Sequence, residues 1–201
     1  MPVTFLSTGP ENGEPVLLLA HGAGAPMDSE FMNVVAAAIG ERGVRVLRFE
    51  FPYMRARRES GARKPPDREA VLLETWRETV RLCGSERPFI GGKSMGGRMA
   101  SMVADEVGAA GLVCLGYPFH PPGNREKLRV AHLERLQTRT LIVQGTTDPF
   151  GTLEDVAGYA LSEAIAFAWI EGGNHDLAAK GTPRRAGWTA IGERVAAFVR
   201  G

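Results

Sequence analysis

The chain has 201 residues, of which 44% are hydrophobic and 23% charged, and its formal net charge is +1. This length suits a single domain over residues 1–201 with a sizeable core, and the balanced charge excludes a global field that would gather nucleic acid or an acidic membrane surface. No apolar run approaches the ~18 residues of a membrane-spanning helix, and the opening Met1-Pro2-Val3-Thr4-Phe5 lacks the basic and apolar segments of a secretory signal, so a cytoplasmic location is expected.

Strand-length apolar runs alternate with longer stretches of helical period. Residues 3–7 are a candidate edge strand. Val16-Leu17-Leu18-Leu19-Ala20 is continuously apolar, as in a strand covered on both faces. Asp28 and Ser29 offer caps for a helix over 30–42, whose inward set is Phe31, Val34, Val35, Ala38 and Ile39, with Gly43 after its end. Residues 44–49 read as the next strand. The stretch 52–66 is rich in Arg, Pro and Gly and reads as a loop. Arg55, Arg57, Arg58, Arg63, Lys64 and Arg68 make it a solvated basic segment, with attraction of an anionic substrate as the functional alternative. Few aromatic residues accompany these charges, so nucleic-acid binding is not expected.

Asp67 is the cap candidate for a helix running to Cys83, with Val71, Leu72, Thr75 and Val80 inward and Gly84 closing it. A strand at 89–92 precedes a helix at 95–107. Strands at 111–116, 140–144 and 165–170 follow, with a Pro-rich loop at 117–126 and helices at 128–136, 153–161 and 187–200. This alternation predicts an α/β three-layer sandwich around a mainly parallel central sheet. Cys83 and Cys114 sit in apolar settings without metal-ligand spacing, and buried reduced thiols are expected.

The turn after the strand at 89–92 reads Gly91-Gly92-Lys93-Ser94-Met95-Gly96-Gly97-Arg98. A serine hydroxyl is a poor nucleophile unless it is exposed, oriented and paired with a base. A sharp strand-to-helix turn supplies the exposure, and Gly92-x-Ser94-x-Gly96 keeps the flanking positions small enough to make it. The helix N-terminus adds N–H groups where an oxyanion would form. Gly92-Lys93-Ser94 also matches the end of a phosphate-binding loop. The glycine such a loop needs five positions earlier is Arg87, which excludes a nucleotide site.

In open parallel sheets, reactive residues collect beyond the carboxyl ends of the strands. Asp148 follows the strand at 140–144 and His175 follows the strand at 165–170, so both belong on the rim that carries Ser94. Their order along the chain is Ser94, Asp148, His175. Asp148, before Pro149, is alternatively a turn residue binding nearby N–H groups. Asp176 adjoins His175 and is badly placed to reach back to its ring, and Asp155 lies on an expected helix. His21-Gly22-Ala23-Gly24-Ala25 follows the strand at 16–20, and the N–H groups of Ala23 and Met95 are the candidate oxyanion donors. Gly22 and Gly24 allow close approach of a substrate. His21 is expected to be structural. Tyr117 and His120, past another strand end, are candidate substrate contacts, with a structural proline corner over residues 117–122 as the alternative. No His, Cys or Asp cluster has metal-ligand spacing, so neither a metal nor another cofactor is expected.

These motifs resemble the α/β-hydrolase superfamily over nearly the whole chain. They are most similar to its compact dienelactone-hydrolase-like branch, which includes small bacterial hydrolases and testis-expressed and chromatin-complex-associated animal proteins. The resemblance rests on the segments 21–28, 91–98, 116–122 and 144–148, and on Gly173-Asn174-His175. It implies Ser94 as nucleophile, His175 as base, Asp148 as the group orienting the base, and a small-molecule acyl substrate, first of all a carboxylic ester. Larger members carry a long insertion between the elbow half and the acid. Here the segment 117–136 is expected to make only a small cap. A non-catalytic binding protein and an acyltransferase are the alternatives on this scaffold, and no oligomeric state is implied.

Overall fold

The computed structural model describes residues 3–201. Its strands are β1 (Leu6–Thr8), β2 (Val16–Ala20), β3 (Arg45–Phe49), β4 (Phe89–Lys93), β5 (Gly111–Leu115), β6 (Thr140–Gly145) and β7 (Ile165–Ile170). The helices are α1 (Glu30–Gly40), α2 (Pro52–Ser60), α3 (Glu69–Leu82), α4 (Met95–Val103), α5 (Leu153–Ala157) and α6 (Arg184–Arg200). The strands form one 7-stranded sheet in the order β1-β3-β2-β4-β5-β6-β7. β1 runs antiparallel to β3, and every other pair is parallel.

The two-residue period of the strands divides the core between the faces of the sheet. Leu17, Leu19, Val113, Leu115 and Val143 point to one face, where Val35 and Ile39 of α1 and Ile191 and Val195 of α6 cover them. Leu18, Ala20, Phe49, Ile90 and Ile142 point to the other, against Trp76 of α3 and Met99 and Val103 of α4. The continuous apolar run of β2 is thus buried on both sides. β2 lies between β3 and β4, so the chain turns one way to β3 and then crosses back to β4. This reversal opens a crevice beyond the carboxyl ends of β2 and β4.

Several elements differ from expectation. Residues 52–60 are a helix, not a loop. Pro52 occupies the first turn, Gly61 closes the helix at φ 67, and only Tyr53 and Met54 are buried, so the apolar signal is faint. Asp67 caps this helix and not α3, since its carboxylate accepts the Tyr53 N–H at 2.8 Å. In α3 the inward residues are Leu72, Thr75, Trp76 and Thr79, while Val71 is 43% exposed. The expected helix at 128–136 is only a 3-10 turn over Leu133–Arg135. α4 stops at Val103 and α5 at Ala157 before Gly158, whereas α6 begins at Arg184, directly after Pro183. The edge strand is Leu6–Thr8, displaced from 3–7.

Candidate active site

Ser94 lies at the apex between β4 and α4 with φ 50 and ψ −115. A residue with a Cβ rarely enters this left-handed region, so surrounding contacts must hold it there. The Ser94 N–H donates to Leu115 O and the Arg98 N–H to Ser94 O, both at 3.0 Å. The flanking glycines are required by space. A Cβ on Gly92 would stand 2.4 Å from Ala20 O, and one on Gly96 would stand 2.6 Å from His21 O. Gly92→Ala is therefore expected to destabilise the protein by about 1–3 kcal/mol, the usual cost of overpacking, read as a lower Tm.

His175 Nε2 is 2.9 Å from Ser94 Oγ, and its Nδ1 is 2.8 Å from Asp148 Oδ2. Asp148 is fully buried, so its only compensation comes from hydrogen bonds. Oδ1 accepts the Phe150 N–H at 2.8 Å, and Oδ2 accepts from Gln144 Nε2 at 2.9 Å as well as from His175. Asp148 is thus both the turn-forming residue and the partner of the histidine. An ionised carboxylate only accepts, which puts the imidazole proton on Nδ1 and leaves Nε2 to accept from the serine hydroxyl. The Phe150 ring packs on the imidazole, with centroids 4.1 Å apart. Asp176 is exposed beside His175, its backbone N–H bonded to Asn174 Oδ1 and its carbonyl to Trp188 Nε1, and the carboxylate on the imidazole is that of Asp148. Asp155 belongs to the capping box of α5.

The turn after β2 is shaped from below. His21 is buried. Its Nδ1 donates to Gly22 O at 2.7 Å, and its Nε2 accepts the Phe51 N–H at 3.2 Å. Burial lowers the pKa of His21, which keeps it in this neutral form. The Tyr53 hydroxyl donates to Ala23 O at 3.0 Å, and burial raises its pKa, so it stays protonated. With these carbonyls engaged, the N–H groups of Ala23 and Met95 have no internal acceptor among the described residues. His21 and Tyr53 are supports, as expected for the histidine and unanticipated for the tyrosine.

A cleft of about 420 Å³ opens over Ser94 and His175. Gly22, Ala23 and Gly24 line it, as do Phe31, Met32, Phe150 and Trp188, with Lys93, Asp176 and Arg184 supplying charge. Phe31 and Trp188 meet edge to face at 5.4 Å, making one apolar wall. Tyr117 and His120 are not on this cleft, contrary to expectation. Gly116, at φ 68, turns the chain inward, so Tyr117 and Phe119 pack into the core with rings 4.7 Å apart. His120 is buried with Nδ1 on Pro121 O and Nε2 3.5 Å from Asp155. No residue of 117–136 lines the cleft: Tyr117, Phe119, Val130, Leu133 and Leu136 fill the core, residues 122–128 are exposed, and the segment makes no cap over Ser94. In the basic stretch, Arg58 bridges Asp28 and the buried Glu50, which joins α2 to the turn after β2. Among the described residues, no three His, Cys, Asp or Glu side chains converge as a metal site would require.

A family model described as an alpha/beta hydrolase domain matches residues 13–200. The chain belongs to the α/β-hydrolase family. Solved structures share its fold at low identity. Dienelactone hydrolase from Anabaena variabilis is 18% identical, with 96% of this chain and 89% of that one covered at a TM-score of 0.74. Est1E from Butyrivibrio proteoclasticus, with ferulic acid bound, is 16% identical, with 98% and 94% covered and a TM-score of 0.73. An α/β serine hydrolase without lid from Xanthomonas campestris is 14% identical, with 100% and 94% covered and a TM-score of 0.72.

Several residues of this α/β hydrolase reach the site without having been singled out from sequence. Gln144 anchors Asp148 and also accepts the Tyr117 N–H at 2.7 Å. Its signal was its place in Gln144-Gly145-Thr146-Thr147-Asp148, one turn before the acid. Lys93 stands between Gly92 and Ser94 in the elbow. Burial pushes its pKa down to about 8, against the opposing pull of Asp176 and Asp148. Phe150, Phe31 and Trp188 carried no signal beyond ordinary core patterning.

Proposed function

We propose that this α/β hydrolase cleaves carboxylic esters, or closely related acyl bonds, of small substrates through a Ser94–His175–Asp148 triad and an acyl-enzyme. The observation carrying this reading is the unbroken relay from Ser94 Oγ through the imidazole to a buried carboxylate, with contacts of 2.9 and 2.8 Å. As Ser94 Oγ attacks the carbonyl carbon, His175 Nε2 takes its proton. The oxyanion then accepts from the N–H groups of Ala23 and Met95, which have no internal acceptor to give up among the described residues. The alcohol leaves with the proton from His175. Water, deprotonated by the same nitrogen, attacks the acyl-serine and releases the acid. Asp148 holds Nδ1–H throughout and stabilises the imidazolium.

The cleft volume lies within the ~300–1,000 Å³ of small-ligand sites, and its apolar wall suits a short acyl chain or a compact aryl group. Fold neighbours described as esterases, including one holding ferulic acid, are consistent with this class. The buried free thiols Cys83 and Cys114 support a reducing, cytoplasmic compartment.

A fluorophosphonate probe and a panel of p-nitrophenyl esters test the reading. Wild type is expected to be labelled at Ser94 and to turn over the acetate and butyrate faster than the palmitate. A folded protein that neither labels nor hydrolyses any ester would instead be a binding protein. Preferential transfer of the acyl group to an added alcohol, over water, would make it an acyltransferase.

A further inference from the structure

We propose that Lys93 is a positioning residue for His175, its ammonium tying the histidine backbone to the strand that carries the nucleophile. The proposal rests on the acyl-transfer reading of the site. Lys93 is the last residue of β4, and its Nζ donates to His175 O at 2.7 Å across 82 residues of chain. Its stem passes the turn that presents Ala23, since a Cβ on Gly22 would lie 3.6 Å from Lys93 Cγ. The far end needs the absence of a side chain at Gly116. A Cβ there would stand 2.9 Å from His175 O and 3.2 Å from Nζ, in the corridor the hydrogen bond occupies. One side chain thus touches the nucleophile turn, the oxyanion turn and the histidine loop.

The rest of the histidine loop is held from the acid turn and from α6: the Thr147 N–H and Oγ1 donate to Gly173 O, and Trp188 Nε1 donates to Asp176 O. The Asn174 N–H donates to Ala178 O, and Asn174 Oδ1 accepts the N–H groups of Asp176 and Ala178. These bonds fix the shape of the loop and tie it to its neighbours, and the Lys93 bond adds a tie that starts on the residue next to the serine and ends on the histidine itself. A 1 Å displacement of the imidazole would break the 2.9 Å contact on which proton transfer depends.

The charges facing Lys93 come from every element around it. Asp148 follows β6, while His175 and Asp176 follow β7, and Arg184 begins α6 on the same cleft. From α1 the neighbour is the neutral Phe31 ring, 5.8 Å from Nζ. Desolvation outweighs the two carboxylates, so Lys93 loses its proton near pH 8. The donor is then a neutral amine, and the charge-assisted bond to His175 O is weakened.

Lys93→Met keeps the unbranched stem and removes the donor. It is expected to lower kcat for ester hydrolysis by about 10- to 100-fold with KM unchanged. Wild-type kcat should fall on the alkaline side with an apparent pKa near 8, and this limb should vanish in the variant. A variant with full kcat would overturn the proposal. So would a loss confined to KM, which would assign Lys93 to substrate binding. A second readout is independent of turnover. The low-field proton resonance of His175 Nδ1–H should be sharp in wild type at pH 7 and broadened in Lys93→Met, and an identical resonance in both would refute the role. An inactive wild type with that NMR difference would reject the acyl-transfer reading while upholding the positioning.

Discussion

Ser94→Ala is expected to lower kcat for ester hydrolysis by about 10⁵–10⁶-fold, the loss typical when the nucleophile of such a triad is removed. The substitution deletes one oxygen at a position whose backbone is held independently of it, by the Ser94 N–H to Leu115 O and the Arg98 N–H to Ser94 O. Alanine carries the same Cβ, so the strain at φ 50 is unchanged. The lost hydrogen bond to His175 faces an open cleft where water can replace it, so stability should change by no more than about 1 kcal/mol. Labelling by the probe should disappear while the Tm stays. His175→Ala should cost about as much as Ser94→Ala, and the double variant little more, because the two act as one unit. A Ser94→Ala protein retaining a tenth of the activity would reject Ser94 as nucleophile.

The parts of the site legible in the sequence were those fixed by local grammar. Ser94, Asp148 and His175 each follow an apolar strand run directly, so the topology of a parallel sheet sends all three to one rim without knowledge of any tertiary contact. The elbow glycines were legible for the same reason, since their constraint is the turn itself. Tyr117 and His120 obeyed the same rule, yet the structure puts them in the core. A strand end says that the chain must turn, and Gly116 permits the turn, but which way the next side chains point depends on the space beside Phe119. α2 was obscured because its burial amounts to Tyr53 and Met54, too few to make a periodic signal. Pro52 and Gly61 bracket it, and that bracket was the available clue. Lys93 and Gln144 were visible as letters within motifs. Their work is long-range, one reaching from β4 to the histidine loop and the other joining Asp148 to Tyr117, and no spacing rule encodes such reach.

Asp148→Asn is expected to reduce kcat by about 10⁴-fold, and unlike the serine substitution it should also reduce stability. The reason is a conflict of donors. In the native site Oδ1 accepts from the Phe150 N–H, while Oδ2 accepts from Gln144 Nε2 and from His175 Nδ1. An asparagine has one oxygen and one NH₂. If its oxygen stays toward Phe150, the NH₂ faces the amide of Gln144 and the imidazole. His175 must then carry its proton on Nε2, where it can no longer accept from Ser94. If the side chain flips, the imidazole keeps its tautomer, but the NH₂ confronts the Phe150 N–H in a fully buried position. Either arrangement leaves a buried donor without an acceptor, which costs about 1–3 kcal/mol. Gln144 cannot relieve the conflict by rotating, because its Oε1 is committed to the Tyr117 N–H and its amide to Gly151 O as well. The variant should therefore show a lower Tm together with the kinetic loss, and neither orientation restores a negative charge to stabilise the imidazolium. Activity within tenfold of wild type would mean that the buried carboxylate is a turn-forming residue only, and that the relay ends at the histidine.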